Sequence, residues 1–593
     1  MDELRMESKG SRWITVLALA ASCFWGVSGA TQARETLDML ITGGKVYKQA
    51  PGTVVGISDG KISYLGPMIG AEPMVTKQTR IVDAEKSGVY PGFIELHTHY
   101  LDTVAFTHIA CEINPEAGDA GTQACKKVAR RLKSNQWLVG FSAGLFDKPL
   151  KQQSPREWLD THFPNVPTVV IEPHASLVWV NSKGLDEMLV TRHGLDPIGG
   201  KILRGGDQQP TGVILGSVAE VVMEKALESH RATLTQLYSQ VAKTASCFER
   251  HGVTSLGDAG SLWFYGGIDF WQQLARDNRL NVRVSVRPKL SPYKGVNAQL
   301  EGLKELYRND LSDRLLINQV KLHVDGQYHL GTARLSVPYS EPSIDSEPYG
   351  LFFFSPTELN TWLMRLNEIG YGAYIHAQGD EAIKAALYSI QNVRRENDDS
   401  RFTLSNMRFI HEPLYKLLHD LDVTANFYLL NPEFSRQQPP SHILDKKEAV
   451  SISELLKHKV SVALGSAGLY TNKVVPLARI SESLQKPEIG IDDIYQAIDS
   501  YTIEPAKALG IESITGSLVV GKSADLVIIN QDLTAIPAEK IAQAKVMMTV
   551  LQGQVTFERG NAGASNQTAG LHKSVKRDKT DEPNKVAALK NNS

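Results

Sequence analysis

Two histidines separated by one residue follow an apolar run near the start of the chain. The run Phe93-Ile94-Glu95-Leu96 leads directly into His97-Thr98-His99. Side chains at positions i and i+2 of a β-strand project from the same face, so both imidazoles point the same way if this run is a strand. Two converging neutral imidazoles suit a divalent cation such as zinc. A motif this short also arises by chance, so it predicts a metal site only together with further ligands.

Two more histidines stand at the same place relative to other apolar runs. His376 ends the run Tyr374-Ile375-His376, His411 ends Phe409-Ile410-His411, and each precedes a turn or a helix start. One such histidine is readily explained as a structural residue. Four at strand ends are harder to explain in that way, because each buried polar group needs its own partner. We therefore predict that these histidines converge on one metal site.

The elements that would position these residues are alternating strands and helices, the pattern of a parallel α/β barrel. We predict a (β/α)8 TIM barrel over residues 91–510, with the site at the carboxyl ends of its strands. The candidate strands exceed eight, so we place an insertion around residues 111–228. The candidates are Val89 to Leu96, Val169 to Glu172, Val253 to Leu256, Asn281 to Val286, Gln319 to Val324, Gly372 to His376, Arg408 to His411, Val423 to Asn426 and Val460 to Leu464.

Short strand-like runs separated by glycine-containing turns occur at both ends of the chain. They cover residues 34–90 and 511–560, which predicts one discontinuous β-sandwich domain built from the two chain ends. Residues 561–593 are rich in Lys, Asn, Asp and Ser without apolar periodicity, so we predict a disordered polar tail.

Composition excludes some classes of function. The chain has 42% hydrophobic and 22% charged residues and a formal net charge of -2, so it has no general field that attracts nucleic acid. The four cysteines are too few for a disulfide scaffold and lack the spacing of a structural zinc site. Cys111 and Cys125 either form one bridge or stay as two buried thiols. We expect a small molecule as the substrate, and the sequence leaves open whether the protein forms a homo-oligomer.

The N-terminus has the layout of a signal peptide. Basic Lys9 and Arg12 precede an apolar run from Ile14 to Trp25, and small residues follow. We predict cleavage after Ala30 or Ala33, a periplasmic or secreted mature protein, and no membrane span after cleavage. An uncleaved anchor and a poor lipoprotein box ending at Cys23 are the alternatives.

An ordered series of motifs resembles the YtcJ-like amidohydrolases, which belong to amidohydrolase family 3 of the amidohydrolase superfamily. The resemblance covers about Leu37 to Phe557 and keeps one order throughout. Its motifs are Pro91 to His99, Trp179-Val180-Asn181-Ser182-Lys183, Pro210-Thr211-Gly212-Val213, Lys321-Leu322-His323-Val324-Asp325-Gly326, His376-Ala377-Gln378-Gly379-Asp380 and Gly516 to Leu526.

The resemblance implies a metal-dependent hydrolase with one or two divalent ions, zinc being the expected metal. It makes His97, His99, His376 and His411 metal ligands, and Lys321 a carboxylated lysine that bridges the ions. Lys321 and His411 would also be catalytic, while His174 and Asn181 would lie near the substrate. A lysine can be carboxylated only as the neutral amine, which burial favours. The residue-level alternatives are a salt-bridged Lys321 and a helix-capping Asn181.

The chain departs from the family pattern after the last barrel strand. The usual Gly-Ser-Asp is Gly465-Ser466-Ala467 here, and no carboxylate occurs between Glu454 and Glu482. The family aspartate binds a metal and moves a proton, and losing such acid-base help typically costs on the order of 10²- to 10⁴-fold in rate. The extra histidines His323 and His329 are expected at the surface, although either is a candidate substitute base.

Two functions follow from this pattern. The first is hydrolysis of a C–N, amide-like bond in a small molecule through a metal-activated water. The second is a catalytically impaired or inactive relative that serves as an exported binding protein, because Ala467 replaces the family aspartate. A purely structural envelope protein would leave the strand-end histidines unexplained.

Overall fold

The computed structural model describes residues 36–142, 145, 153–172, 176–241, 248–260, 267–340, 344, 346–428, 450–466, 475–485 and 490–560. The N-terminal segment 1–33, the tail 561–593, His174 and Ala467 lie outside these residues. Within the described part of the chain, no helix is long and apolar enough to cross a membrane.

Strands occur throughout the described chain and are numbered in chain order. They are β1 Met39–Thr42, β2 Lys45–Val46, β3 Thr53–Ser58, β4 Lys61–Pro67, β5 Arg80–Asp83, β6 Gly88–Pro91, β7 Phe93–Thr98, β8 Ala110–Glu112, β9 Leu138–Phe141, β10 Thr168–Ile171, β11 Leu177–Val180, β12 Gly200–Arg204, β13 Pro210–Gly216, β14 Val253–Asp258, β15 Arg283–Ser285, β16 Leu315–Leu316, β17 Gln319–His323, β18 Gly372–His376, β19 Phe402–Ser405, β20 Val423–Phe427, β21 Val462–Leu464, β22 Leu526–Ile529, β23 Val546–Leu551 and β24 Gln554–Glu558.

Helices alternate with the later strands. They are α1 Met68–Ala71, α2 Tyr100–Ile109, α3 Gln123–Ala129, α4 Pro155–His162, α5 Ser182–Glu187, α6 Ser217–Glu228, α7 Arg231–Val241, α8 Gly267–Arg276, α9 Val296–Leu306, α10 Pro356–Glu368, α11 Asp380–Arg394, α12 Pro413–Asp420, α13 Ile452–Lys457, α14 Pro476–Gln485, α15 Ile494–Asp499, α16 Ile503–Leu509 and α17 Ala538–Ile541.

Local sequence sets several helix starts. Ser154 and Ser355 precede α4 and α10, and each forms a capping box with the glutamate three residues later, Glu157 and Glu358. Proline occupies the first position of both helices, where its missing N–H costs no intrahelical hydrogen bond. These helices therefore begin where their sequences satisfy the first backbone donors.

Two sheets lie near the chain ends: one contains only strands from the N-terminal part, and the other combines strands from both ends of the chain. One sheet has the order β4-β3-β1-β5, and the other has the order β2-β6-β22-β23-β24. In the second sheet β6 pairs antiparallel with β22, which aligns Pro91 with Leu526. The polypeptide therefore returns at its C-terminal end to the strand that leads into β7 and the His97-Thr98-His99 motif.

A third sheet, with the order β12-β13-β11-β10-β9-β8, lies within the stretch where we predict an insertion. It mixes parallel and antiparallel pairs. It also contains the predicted strand Val169 to Glu172, as β10. Cys111 on β8 and Cys125 on α3 form a disulfide, which decides between the two alternatives for these cysteines.

Two parallel sheets carry the remaining strands, in the orders β16-β15-β14-β7 and β17-β18-β19-β20-β21. A parallel backbone bridge between Lys289 and Lys321 links the two sheets at one edge. Most of their strands are followed by helices that cover them with apolar side chains, and a large apolar core includes residues from both. The chain thus has a mixed α/β fold whose strands follow one another in chain order across these sheets.

One predicted strand is wrong. Residues 408–411 form no strand, and the strand that follows β18 is β19, at Phe402–Ser405. β19 pairs in parallel with β18 and aligns Ser405 with His376. Both segments are short and apolar, so periodicity alone does not distinguish them. The pairing with β18 and β20 places the earlier segment in the sheet.

Candidate active site

A cavity of about 160 Å³ lies against the carboxyl ends of the parallel strands. Its volume is close to that of a cavity that a benzene ring fills, so it admits a small organic group. Four of the predicted site residues line it: His97 and His99 after β7, Lys321 on β17 and His376 at the end of β18. The two parallel sheets thus bring together residues that are far apart in the sequence.

His97 and His99 face each other across this cavity. Their Nε2 atoms are 3.2 Å apart, and the ring centroids are 5.1 Å apart. Two nitrogen ligands of one tetrahedral zinc ion, each at about 2.0–2.1 Å from the metal, have a similar separation. His97 is buried, and burial, with the neighbouring His99 and Lys321, holds its pKa well below its usual range. His97 is therefore a neutral imidazole.

Hydrogen bonds to the other ring nitrogens orient both imidazoles. Nδ1 of His97 lies 2.6 Å from the Tyr374 hydroxyl, which in turn lies 2.6 Å from Oδ1 of Asn426. Tyr374 donates to that amide oxygen and so accepts from His97. Nδ1 of His99 lies 3.3 Å from Oδ2 of Asp102. An ionised carboxylate can only accept a hydrogen bond, so Nδ1 of His99 is the donor. Both Nε2 atoms then carry lone pairs, and two lone pairs 3.2 Å apart favour a cation between them.

Lys321 is buried beside the same histidines. Its side chain makes no ion pair or hydrogen bond with the described residues, and its Nζ lies 4.5 Å from the centre of the Tyr374 ring. Burial, together with the positive charges of Lys289 and Arg287, holds the pKa of Lys321 well below its usual range. The salt-bridged alternative for this lysine is therefore absent from the described structure, and the amine is available in its neutral form.

A backbone carbonyl group in the segment between β17 and α10 orients the His376 ring. Nε2 of His376 lies 3.2 Å from the carbonyl oxygen of Gly326, which can only accept. Nε2 therefore carries the proton and Nδ1 the lone pair. The adjacent Asp325 is buried and accepts from the backbone N–H groups of Arg334, Gln378 and Gly379 at 2.8–2.9 Å. Asp325 thus ties two loops together, and burial raises its pKa to about 7.

His323 lies in the cavity wall and not at the surface. Its Nδ1 is 2.7 Å from Oε1 of Glu220 on α6, whose other carboxylate oxygen lies 2.8 Å from Nζ of Lys289. Burial alone would raise the pKa of Glu220, but Lys289 and His323 hold it well below its usual range. Burial and Lys289 lower the pKa of His323 to about 3. Its position two residues after Lys321 on one strand was the sequence signal for this placement.

His411 does not join the other histidines. It follows the loop after β19, its side chain is 38% exposed, and its Nε2 lies 2.8 Å from Oδ2 of Asp380 at the start of α11. It is not among the residues that line the cavity. At the end of β19 the residue that lines the cavity is Asn406. The strand after β18 ends at Ser405 and not at His411, which is the physical reason for this difference.

Asn181 is a helix cap. Its Oδ1 accepts from the backbone N–H groups of Gly184 and Thr168, both at 2.9 Å, and its Nδ2 donates to the carbonyl oxygens of Phe163 and Val166. The side chain is buried, makes these four hydrogen bonds and does not line the cavity. Of the two interpretations of Asn181, the structure supports the capping one. The predicted substrate residue His174 lies outside the described residues.

Glu95 lies beneath the first histidine pair. It is fully buried, and its Oε1 accepts from the backbone N–H groups of His97 at 3.2 Å and Ser466 at 2.8 Å. Burial raises its pKa to about 7, although these hydrogen bonds act in the opposite direction. The Glu95 carboxyl thereby joins the end of β7 to the residue before Ala467.

The nitrogen atoms that could bind a divalent cation are arranged in two histidine pairs. Across the described ranges, no three His, Cys, Asp or Glu side chains are arranged to hold one ion by themselves. The cavity instead offers the His97–His99 pair, the His323–His376 pair and the neutral amine of Lys321. Imidazoles of this kind, each oriented by a hydrogen bond on its other nitrogen, are the usual protein ligands of zinc and similar ions.

Comparison with known proteins assigns the chain to a protein family. The model of the amidohydrolase family matches residues 80–557. N-substituted formamide deformylase of Arthrobacter pascens is 24% identical over 539 residues, which cover 85% of this chain and 94% of that protein. Putative amidohydrolase YtcJ of Bacillus subtilis (strain 168) is 23% identical over 541 residues, covering 85% of this chain and 96% of the relative.

The fold has a counterpart among solved structures. An uncharacterized metal-dependent hydrolase from Pyrococcus horikoshii OT3 superposes with a TM-score of 0.60 at 18% identity, over 84% of this chain and 99% of that one. At this identity the likeness concerns the fold. The family match covers most of the chain, from β5 to β24. The chain therefore belongs to the amidohydrolase family, on its YtcJ-like branch.

Proposed function

We propose that this protein is a metal-dependent amidohydrolase that hydrolyses a C–N, amide-like bond in a small molecule. The observation that carries the proposal is the 3.2 Å approach of the two Nε2 atoms of His97 and His99, with both Nδ1 atoms directed to acceptors. Such a pair is stable when a cation lies between the lone pairs. The family membership supplies the reaction class.

The proposed scaffold is a (β/α)8 barrel in which β7 and β21 are neighbours. Two contacts support closure of the two parallel sheets: the Lys289–Lys321 backbone bridge at one seam and the hydrogen bond from Ser466 N to Glu95 at the other. The two sheets near the chain ends would form the predicted β-sandwich. This arrangement puts the histidines at the carboxyl ends of the strands, where barrel enzymes have their active sites.

The residues that would hold the metal are His97, His99, Lys321 and His376, with zinc as the proposed ion and one or two ions per chain. When bound, a divalent ion polarises a carbonyl oxygen and lowers the pKa of water to about 7. Tyr374 and Asp102 orient the first two histidines. Lys321, as a neutral buried amine, can react with carbon dioxide to form the carbamate that the family resemblance implies.

The cavity wall indicates the kind of substrate. Apolar side chains line one part of it, and Gln327 and Lys289 supply polar atoms nearby. A cavity of about 160 Å³ suits a small acyl or formyl group whose amine portion extends toward the opening. The named activity of the Arthrobacter relative, deformylation of N-substituted formamides, points to the same bond type. We propose N-formyl and N-acyl amines as the substrate class. The apolar lining residues are Phe106, Ile171, Met223 and Leu227.

Ala467 favours a second candidate function. A methyl group can neither bind a metal nor transfer a proton, so the leaving amine lacks the usual proton donor. The alternative is that the chain keeps the cavity and its metal but acts as an exported binding protein. The two functions predict the same metal content and differ in turnover.

We also propose that the protein is exported. The signal-like N-terminus and the Cys111–Cys125 disulfide both suit an oxidising compartment such as the periplasm. The mature chain would begin at Thr31 or Arg34.

The test is elemental analysis of the mature protein, followed by a hydrolysis assay on N-formyl and N-acyl amines. We expect one or two zinc ions per chain and release of formate or another acid. His97→Gln should lower the metal content and abolish turnover, while the matched surface variant His419→Gln should change neither. Metal-free wild-type protein that cannot be loaded with zinc would refute the proposal. Full loading without turnover would favour the binding function.

A further inference from the structure

We propose that His323 and His376 form a second cation-binding position in the cavity, and that Glu220 holds His323 in its ligating orientation. The inference rests on the proposed function, because it assigns ligands within the same cavity. It differs from the family-based expectation, which uses His411.

The two histidines are neighbours by backbone pairing. β17 and β18 are parallel, and their register aligns His323 directly with His376. The side chains therefore project from the same face, and their ring centroids lie 4.9 Å apart. Both rings line the cavity, together with Lys321, which precedes His323 by two residues on the same face.

Hydrogen bonds determine which nitrogens are left for a cation. The Gly326 carbonyl oxygen takes the Nε2–H of His376, which leaves the Nδ1 lone pair. The Glu220 carboxylate takes the Nδ1–H of His323 at 2.7 Å, which leaves the Nε2 lone pair. Glu220 also forms an ion pair with Lys289 at 2.8 Å and accepts from the Ser176 hydroxyl at 3.1 Å.

This arrangement repeats the logic of the His97–His99 pair. There too each imidazole has one nitrogen bound to a fixed partner, which leaves a lone pair on the other nitrogen. A carboxylate behind a histidine is the common device that orients metal-bound imidazoles. Two imidazoles suit a borderline ion such as zinc better than calcium or magnesium.

The end of β19 explains why the second cation-binding position would use a histidine of β17. β19 ends at Ser405, and the next residue, Asn406, is the one that reaches the cavity. His411 lies farther along the chain and binds Asp380. The strand that would otherwise supply an imidazole therefore supplies an amide. His323 is the additional imidazole in the wall.

The test is zinc titration of the metal-free mature protein, with bound zinc counted by elemental analysis after gel filtration. We expect two ions per chain for the wild type, one for His323→Gln, one for His376→Gln, and two for His411→Gln. Circular dichroism and thermal melting establish that each variant is folded. Glu220→Ala should weaken the second ion by about 10- to 100-fold. Glu224→Ala, on the same helix and paired with Lys294, is the matched control and should bind like the wild type.

The outcomes separate this inference from the proposed function. A wild type that binds one ion, lost in His97→Gln and kept in His323→Gln, overturns the second position and leaves the hydrolase proposal standing. Loss of the second ion in His411→Gln but not in His323→Gln also overturns it. A wild type that binds no zinc overturns both. If His323→Gln does not fold, an unchanged zinc affinity in Glu220→Ala refutes the role given to Glu220 and His323.

Discussion

Nδ1 of His97 lies 2.6 Å from the Tyr374 hydroxyl, and this contact joins β7 of one parallel sheet to β18 of the other. The hydroxyl also donates to Asn426 on β20. The orientation of the His97 imidazole therefore depends on residues more than 270 positions away in the sequence, since the separation of His97 and Tyr374 is 277 residues.

Tyr374→Phe should lower the affinity for zinc by about 10- to 100-fold, because His97 loses the acceptor that fixes its tautomer. The Phe ring still packs against Arg287 and Lys321, so the fold should be kept. Isothermal titration of the metal-free protein measures the affinity. Tyr371→Phe is the matched control, because that buried hydroxyl donates to the Leu303 carbonyl oxygen instead. Equal zinc affinities for the two variants would contradict the orienting role of Tyr374.

Lys321→Arg should lower the zinc content and remove any stimulation of zinc uptake by bicarbonate. Arginine stays charged, so it cannot form a carbamate, although its side chain is a basic chain of similar reach. Zinc uptake by metal-free protein, with and without bicarbonate, is the measurement. Lys294→Arg, which alters a lysine paired with Glu224, should respond to bicarbonate like the wild type. A bicarbonate effect that persists in Lys321→Arg would rule out carboxylation of this lysine.

Ala467→Asp should raise hydrolysis of N-formyl or N-acyl amines by at least about 10²-fold, the lower end of what a positioned acid-base group supplies. Steady-state kinetics on zinc-loaded wild type and variant compare the two. Ala467→Asn is the control, because it has a similar size without an acidic proton. A variant that binds zinc normally and stays as inactive as the parent would favour the binding function. High activity in the unmodified protein would direct attention to His323 or His329 as the base.

Glu249→Gln should stabilise the protein above neutral pH. Glu249 is 1% exposed, and burial raises its pKa from 4.5 to about 7. A pKa raised in the folded state gives a stability contribution that is present below pH 4.5 and is lost as the pH rises through 7. Glutamine resembles the neutral acid at every pH. Thermal melting should therefore show little difference between variant and wild type at pH 4.5 and a gain on the order of 2 kcal/mol at pH 8.

The control for this effect is an exposed carboxylate. Glu301 is paired with Lys304 on the surface of α9, and Glu301→Gln should shift the melting temperature little and equally at both pH values. The same flat response in Glu249→Gln would mean that its carboxyl titrates near the usual pH.

Part of the site could be predicted from short segments alone. The alternation of β-strands places His97 and His99 on one face. The apolar run before each motif predicted a strand, and for His376 the predicted strand matches β18 at both ends. These features depend on a few consecutive residues, so local periodicity was enough to identify them.

The remaining features depended on which strand pairs with which. The segments 402–405 and 408–411 are similarly apolar, and only the first pairs with β18 on one side and β20 on the other. This pairing puts Asn406 in the cavity wall and leaves His411 beside Asp380. In the same way, α6 brings Glu220 against His323, 103 residues away. The sequence by itself determined the residue types of the candidate site and their local faces. The tertiary structure decided their partners, because the hydrogen bonds that orient each imidazole come from other strands and helices.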